Sequence, residues 1–175
     1  YQIPKDNIVI LFVGQALPFK NLNLLYKAFN NLDTDKQLTL VIKTHHGEFL
    51  GHGKNIIEIP DILTQKKLTD LYWSSDIYVH PSNAEALSTV ITEAMLCQRP
   101  IIATDVGGTY TQIVNGETGC LIQADNLEAL TFRLSSLIAN PELRCKLGRT
   151  AQEHAIKLFN QTMMVQKHLN LYHNC

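Results

Sequence analysis

Short apolar runs alternate with stretches of helical periodicity along the whole chain, and the runs lack the polar alternation of a sheet with one wet face. Most runs end in a glycine, proline or small polar turn that feeds the next helix. Together these features predict an α/β protein with a doubly wound parallel sheet, its strands buried on both faces, in a single domain over residues 1–175. Such folds bind ligands outside the carboxyl ends of the strands, near the switch in strand order. The loops after Val13, Ile42, Ile59, Val79 and Ala103 should therefore share one rim.

The first strand is Ile8-Val9-Ile10-Leu11-Phe12-Val13, rich in β-branched residues. Gly14 ends it, and Gln15 to Asn21 reads as a loop. Leu22, Leu25, Tyr26, Ala28, Phe29 and Leu32 then recur at helical spacing, with Asn21 a candidate N-cap. Leu38 to Ile42 is the second strand. The polar, glycine-rich segment from Lys43 to Lys54 is a loop, and Asn55 to Ile59 is a short strand closed by Pro60. Thr64 caps a helix that reaches about Ser74, with Leu68, Leu71 and Tyr72 on its inner face. Ile77 to His80 is the next strand. It crosses Pro81-Ser82-Asn83-Ala84 and enters a helix lasting to about Gln98. Pro100 to Thr104 is a strand, Asp105-Val106-Gly107-Gly108-Thr109 a turn, and Tyr110 to Val114 a short helix. Gly119 to Ile122 is the last strand. Helices follow from Asn126 to Ile138 and from Pro141 to about Leu158, where Pro suits a helix start. A final helical segment runs from Gln161 to His173, so the C-terminal helices fill about 141–175.

Composition removes several function classes. With 45% hydrophobic and 18% charged residues the chain is neither disordered nor membrane-embedded, and a net charge of −1 gives no electrostatic basis for nucleic acid. No apolar run approaches the ~18 residues of a spanning helix, and no signal peptide is visible. Cys97, Cys120, Cys145 and Cys175 show no metal or disulfide spacing, which points to incidental thiols in a reducing, cytoplasmic setting. His45, His46 and His52 share one loop, but adjacent histidines do not easily face one metal, so no metal site is expected. Tyr1 in place of an initiator methionine points to a piece of a longer chain.

Candidate chemistry gathers at the rim. A helix N-terminus offers unpaired N–H donors and a positive dipole end, so the corner after His80 suits an anion. Gly14 permits a tight turn and Lys20 supplies a mobile cation, although the spacing matches no nucleotide-triphosphate or dinucleotide loop. Glu85 and Glu93 stand eight positions apart, about 80° around a helix. They are candidates to accept hydrogen bonds from sugar hydroxyls. On spacing alone, one glutamate favouring the helix dipole and another in water explain the pair as well. Asp105 to Thr109 reads equally as an anion-binding nest or a simple turn.

In order along the chain, these motifs resemble the C-terminal, donor-binding domain of GT-B fold retaining glycosyltransferases of the GT4 family. Ile10-Leu11-Phe12-Val13-Gly14 with Lys20 is similar to the family's first strand and its G-R-x4-K loop. Glu85 and Glu93 within HPSNAEALSTVITEAM resemble its E-x7-E signature. Arg99 to Gly108 and Asn115-Gly116-Glu117-Thr118-Gly119-Cys120-Leu121 resemble the segments that follow.

The resemblance implies a Rossmann-like domain that binds a nucleotide diphosphate sugar. Lys20 would contact the diphosphate, and Gly14 and Gln15 would line its loop. Glu85 would bind hydroxyls of the transferred sugar, and Glu93 those of the ribose. Backbone amides around Leu87, Ser88 and Thr89 would meet the phosphates, Ala86 would belong to the same nucleotide-sugar site, and Pro60-Asp61-Ile62 would lie beside the base. Glu85 and Lys20 would be the catalytic pair. No cofactor and no metal is expected, because protein donors stabilise the leaving diphosphate. The partner would be a missing N-terminal half that holds the acceptor, and any membrane association would come through that half. Two departures stand out: Gln15 replaces the family's arginine, and Ala86-Leu87-Ser88 replaces a glycine-containing turn. They favour an alternative, a degenerate non-catalytic domain with an interaction or regulatory role. A nucleotide-sugar epimerase shares the architecture, but the glutamate signature argues for transferase.

Overall fold

The computed structural model describes residues 3–44, 53, 55–60, 62–160, 162, 165, 166, 169, 170 and 172. His45, His46, His52, Asp61 and Cys175 lie outside the described residues. Six parallel strands form one sheet: β1 (Ile8–Val13), β2 (Leu38–Lys43), β3 (Ile56–Ile59), β4 (Ile77–His80), β5 (Ile101–Thr104) and β6 (Cys120–Ile122). Their order is β3-β2-β1-β4-β5-β6. The direction of winding therefore reverses between β1 and β4, which pair through Ile10 with Ile77 and Leu11 with Tyr78.

The helices are α1 (Leu22–Asn30), α2 (Gln65–Trp73), α3 (Thr89–Leu96), α4 (Thr109–Gln112), α5 (Leu127–Ala139) and α6 (Pro141–Leu158). The described residues between 162 and 172 are also helical. Alternate strand residues feed opposite cores. Ile10, Phe12, Leu40, Ile42, Ile77 and Val79 pack with α1 and α5 residues such as Leu25, Leu130 and Leu134. Val9, Leu11, Val41, Tyr78, Ile101 and Ala103 pack with Tyr72, Ile91, Met95 and Ala151 of α2, α3 and α6. Helices cover both faces, so the strands have no reason to alternate in polarity, and the apolar runs of the sequence follow directly. His80 obeys the same parity. It ends β4 on the side that α3 covers and is wholly buried.

The helix starts are set by side chains. Thr64 accepts from the Lys67 amide, Asn126 from the Ala129 amide and Asn140 from the Leu143 amide, each worth about 1 kcal/mol by the usual measure of such caps. Asn21 behaves otherwise than its sequence position predicts. It is left-handed at φ 52°, away from the extended backbone of a capping residue, and makes no side-chain cap. A short 3-10 turn, Pro18–Lys20, precedes it within the stretch read as loop.

Candidate functional site

The carboxyl ends of β1 and β4 open onto a cavity of about 480 Å³ at the winding reversal. Three loops are locked together around it. The Asn83 amide donates to the Phe19 carbonyl at 2.7 Å, joining the loop after β4 to the loop after β1. The Asn21 side chain donates to Asn83 Oδ1 at 3.0 Å and to Asp125 Oδ1 at 2.8 Å, and the Asn83 amide group also reaches Asp125. That web brings in the turn after β6 and turns the Asn21 side chain toward Asn83 and Asp125.

Lys20 and Glu85, 65 positions apart, meet through this geometry, with Nζ 2.5 Å from Oε2. The His80 Nε2 atom lies 2.8 Å from the same oxygen. The His80 hydrogen bond and the Lys20 ammonium hold the Glu85 carboxyl down at about 2, against the opposing effect of burial. Glu85 is thus a carboxylate at any physiological pH. Glu93 enters the cavity from α3, where the Tyr72 hydroxyl donates to its Oε2 at 2.9 Å. Burial pushes the Tyr72 phenol far up, so it remains a donor.

The start of α3 lies between the two carboxylates. Ser88 is its N-cap residue but makes no side-chain cap. Its Oγ faces His80 Nε2 at 3.5 Å instead. Its amide donates to Gln112 Oε1, and its carbonyl accepts from Gln112 Nε2, both at 2.9 Å. The Ser88 amide is therefore spent, contrary to the expectation that it meets phosphate. Thr89 and Val90 of the first turn line the cavity, where a helix N-terminus attracts anions.

Of the residues singled out from sequence, Gly14, Gln15, Lys20, Ile62, Glu85, Leu87, Ser88, Thr89 and Glu93 line the cavity. Pro60 and Ala86 do not: both are exposed outside it. Ala86 turns its carbonyl onto Gly108 instead. A Cβ on Gly108 would come within 1.8 Å of that oxygen, and one on Gly107 within 1.5 Å of the Glu85 oxygen. The Gly108 amide donates to the Glu85 carbonyl at 3.3 Å. The turn after β5 is therefore a seat for the 85–86 backbone, which resolves the choice between an anion nest and a simple turn.

Sequence reasoning missed His80, Tyr72 and Lys43 as parts of this site. Lys43 ends β2 at the rim and lines the cavity while only 6% exposed. A lysine closing an otherwise apolar strand was the available signal. Nothing in the spacing of Tyr72 and Glu93 announces their contact, since it depends on how α2 packs against α3. Among the described residues no cluster of potential metal ligands occurs, and no helix is long and apolar enough to cross a membrane.

Residues 1–154 match the family model described as glycosyl transferases group 1. The D-inositol 3-phosphate glycosyltransferase of Corynebacterium glutamicum is 32% identical over 169 residues, which is 87% of this chain and 40% of that protein. The Rhodococcus erythropolis protein of the same name is 31% identical over 85% of this chain and 37% of its own length. The chain thus spans about 40% of the curated relatives it matches. In fold it is similar to sucrose-phosphate synthase from Thermosynechococcus elongatus, with a TM-score of 0.86 at 24% identity over 98% of this chain and 46% of that one. Anabaena HepE in complex with UDP-glucose gives a TM-score of 0.84 at 20% identity, over 97% of this chain and 50% of that one. The C-terminal domain of the group 1 glycosyl transferase LpcC from Francisella tularensis gives 0.80 at 23% identity, over 91% of this chain and 89% of that one. With the family model covering all but the last 21 residues, the chain belongs to the group 1 glycosyl transferases.

Proposed function

We propose that the chain is the donor-binding domain of a retaining, GT4-type glycosyltransferase, which takes a sugar from a nucleotide diphosphate donor and passes it to an acceptor held by a preceding half. The observation that carries this reading is the meeting of three chemistries in one cavity: the ionised Glu85, the uncapped start of α3 and the Lys20 cation. The amides of Thr89 and Val90, with Lys20, face the diphosphate and stabilise it as a leaving group. Glu85 accepts from hydroxyls of the transferred sugar and Glu93 from those of the ribose, while Ile62 and Leu63 form the apolar wall for the base. Two lysines and a helix end supply the positive field, so the proposal needs no metal. Its setting is the cytoplasm, with any membrane contact made by the preceding half. The UDP-glucose bound by Anabaena HepE supports UDP-sugars as the first donors to try.

One observation favours a second reading, a non-catalytic domain that serves interaction or regulation. Gln15 lines the cavity where the family resemblance calls for arginine, and Lys20 already commits its charge to Glu85. Calorimetric titration with UDP-, GDP- and ADP-sugars separates the two, with amide hydrogen exchange followed at Thr89 and Val90. Saturable binding with protection of those amides is the expected result. No saturable binding to any of the three overturns donor binding in favour of the second reading.

A further inference from the structure

We propose that His80 is the positioning residue for Glu85: its buried imidazole donates from Nε2 to one carboxylate oxygen and so turns the other toward the sugar of the bound donor. This rests on the donor-binding reading and adds to it a residue that never touches the ligand.

His80 has no exposed surface and does not line the cavity. Around Nε2 stand Glu85 Oε2 at 2.8 Å and Ser82 Oγ at 3.1 Å, and at Nδ1 stands the Tyr78 hydroxyl at 3.3 Å. Burial pushes the imidazole pKa down, so the ring is neutral and carries one N–H. A carboxylate only accepts, so that hydrogen sits on Nε2. Nδ1 is then a lone pair facing the Tyr78 hydroxyl, whose one hydrogen also lies within reach of the Val13 carbonyl at 3.4 Å. The tautomer is fixed from the carboxylate side.

Lys20 shares the same Glu85 oxygen, but an ammonium on a four-carbon stem is mobile, and a diphosphate would draw it away. The imidazole is packed in place and stays. Among the described residues Glu85 Oε1 accepts no hydrogen bond, which leaves it for a sugar hydroxyl. His80 therefore holds the carboxylate rotamer with or without a donor present.

The test compares a nucleotide diphosphate with its sugar conjugate on the same chain: UDP with UDP-glucose, GDP with GDP-mannose and ADP with ADP-glucose. The readout is the ratio of the two dissociation constants within a pair. His80→Phe should lower the preference for the sugar conjugate about ten-fold, as loss of one charge-assisted hydrogen bond implies, with affinity for the bare nucleotide within about two-fold. His80→Gln, whose amide nitrogen can reach the place of Nε2, should restore most of the preference. Circular dichroism melts report whether each variant folds. Should His80→Phe fail to fold, Tyr78→Phe removes the hydroxyl beside Nδ1 while keeping the imidazole, and a fall of about three-fold in the same ratio is expected. An unchanged ratio in the folded variant overturns the positioning role. So does a parallel fall for nucleotide and conjugate that Gln does not rescue, because a purely structural histidine would behave that way. A wild type that saturates with none of the three pairs overturns the donor-binding reading itself, and this inference with it.

Discussion

Glu85 and Glu93 face one cavity from the same corner, but different chemistry holds each of them. Glu85 sits in a loop and is held by a lysine, a histidine and a glycine seat beneath its backbone. Glu93 sits within α3 and receives a single phenolic hydrogen bond from α2. A side chain on a helix inherits its position from the backbone ladder, whereas one in a loop must be fixed by contacts of its own. The loop carboxylate accordingly carries more of the site's electrostatics and depends on more of the chain.

The largest effect should come from exchanging each carboxylate for its amide. Glu85→Gln should weaken a sugar nucleotide by about thirty-fold while nearly sparing the bare diphosphate, and Glu93→Gln should weaken both by about ten-fold, from the 1.5–3 kcal/mol of hydrogen bonds to charged groups. Titration of both ligands against both variants checks this. Equal losses in all four cells would erase the distinction between the two glutamates.

Gly108→Ala should act on the Glu85 side alone. Its Cβ would meet the Ala86 carbonyl at 1.8 Å, so the 85–86 backbone must shift. Overpacking of this kind costs about 1–3 kcal/mol. A fall in the urea midpoint of that order is expected, with the preference for a sugar conjugate lost before affinity for the bare nucleotide. An unshifted midpoint would remove the seat from the account of Glu85.

Acid acts on the Glu85 side more gently. The Glu85 carboxyl titrates near 2 in the folded chain against an ordinary 4.5, so the stability it contributes is complete above 4.5 and disappears as pH falls through 2. The gap in urea midpoint between wild type and Glu85→Gln should hold steady above 4.5 and close between those limits. A gap independent of pH across that window would contradict the ion-paired geometry. Smallest of all, Tyr72→Phe should cost only the 0.5–1.5 kcal/mol of a single hydrogen bond, or about three- to ten-fold in affinity for the bare diphosphate. A loss confined to the sugar conjugate would assign Tyr72 to the wrong carboxylate.

The sheet was legible because both its faces are covered. Every strand predicted from an apolar run is present, and Ile8–Val13 and Ile77–His80 match to the residue. The cap at Thr64 was equally readable, since capping is a local hydrogen bond. Asn21 was not, because its backbone is left-handed and its side chain is drawn to partners as distant as Asp125. The glutamates could be nominated from order and spacing, but their holders could not. Tyr72 reaches Glu93 only through the packing of α2 on α3, and His80 reads as one more residue of a buried strand. Gly107 and Gly108 announced a turn, while what they abut was settled by the fold.

Ser88 stands where a helix normally finds its cap, and its hydroxyl is turned toward His80 instead. The first turn of α3 is thus an unfinished piece of secondary structure. On the proposed reading the donor's phosphates finish it, so recognition and folding share one set of hydrogen bonds. Ligand would raise the melting temperature by ordinary mass action, and that gain would be concentrated in the opening turn of a single helix. Restoring a self-sufficient helix start would then make the fold more stable and the cavity less receptive.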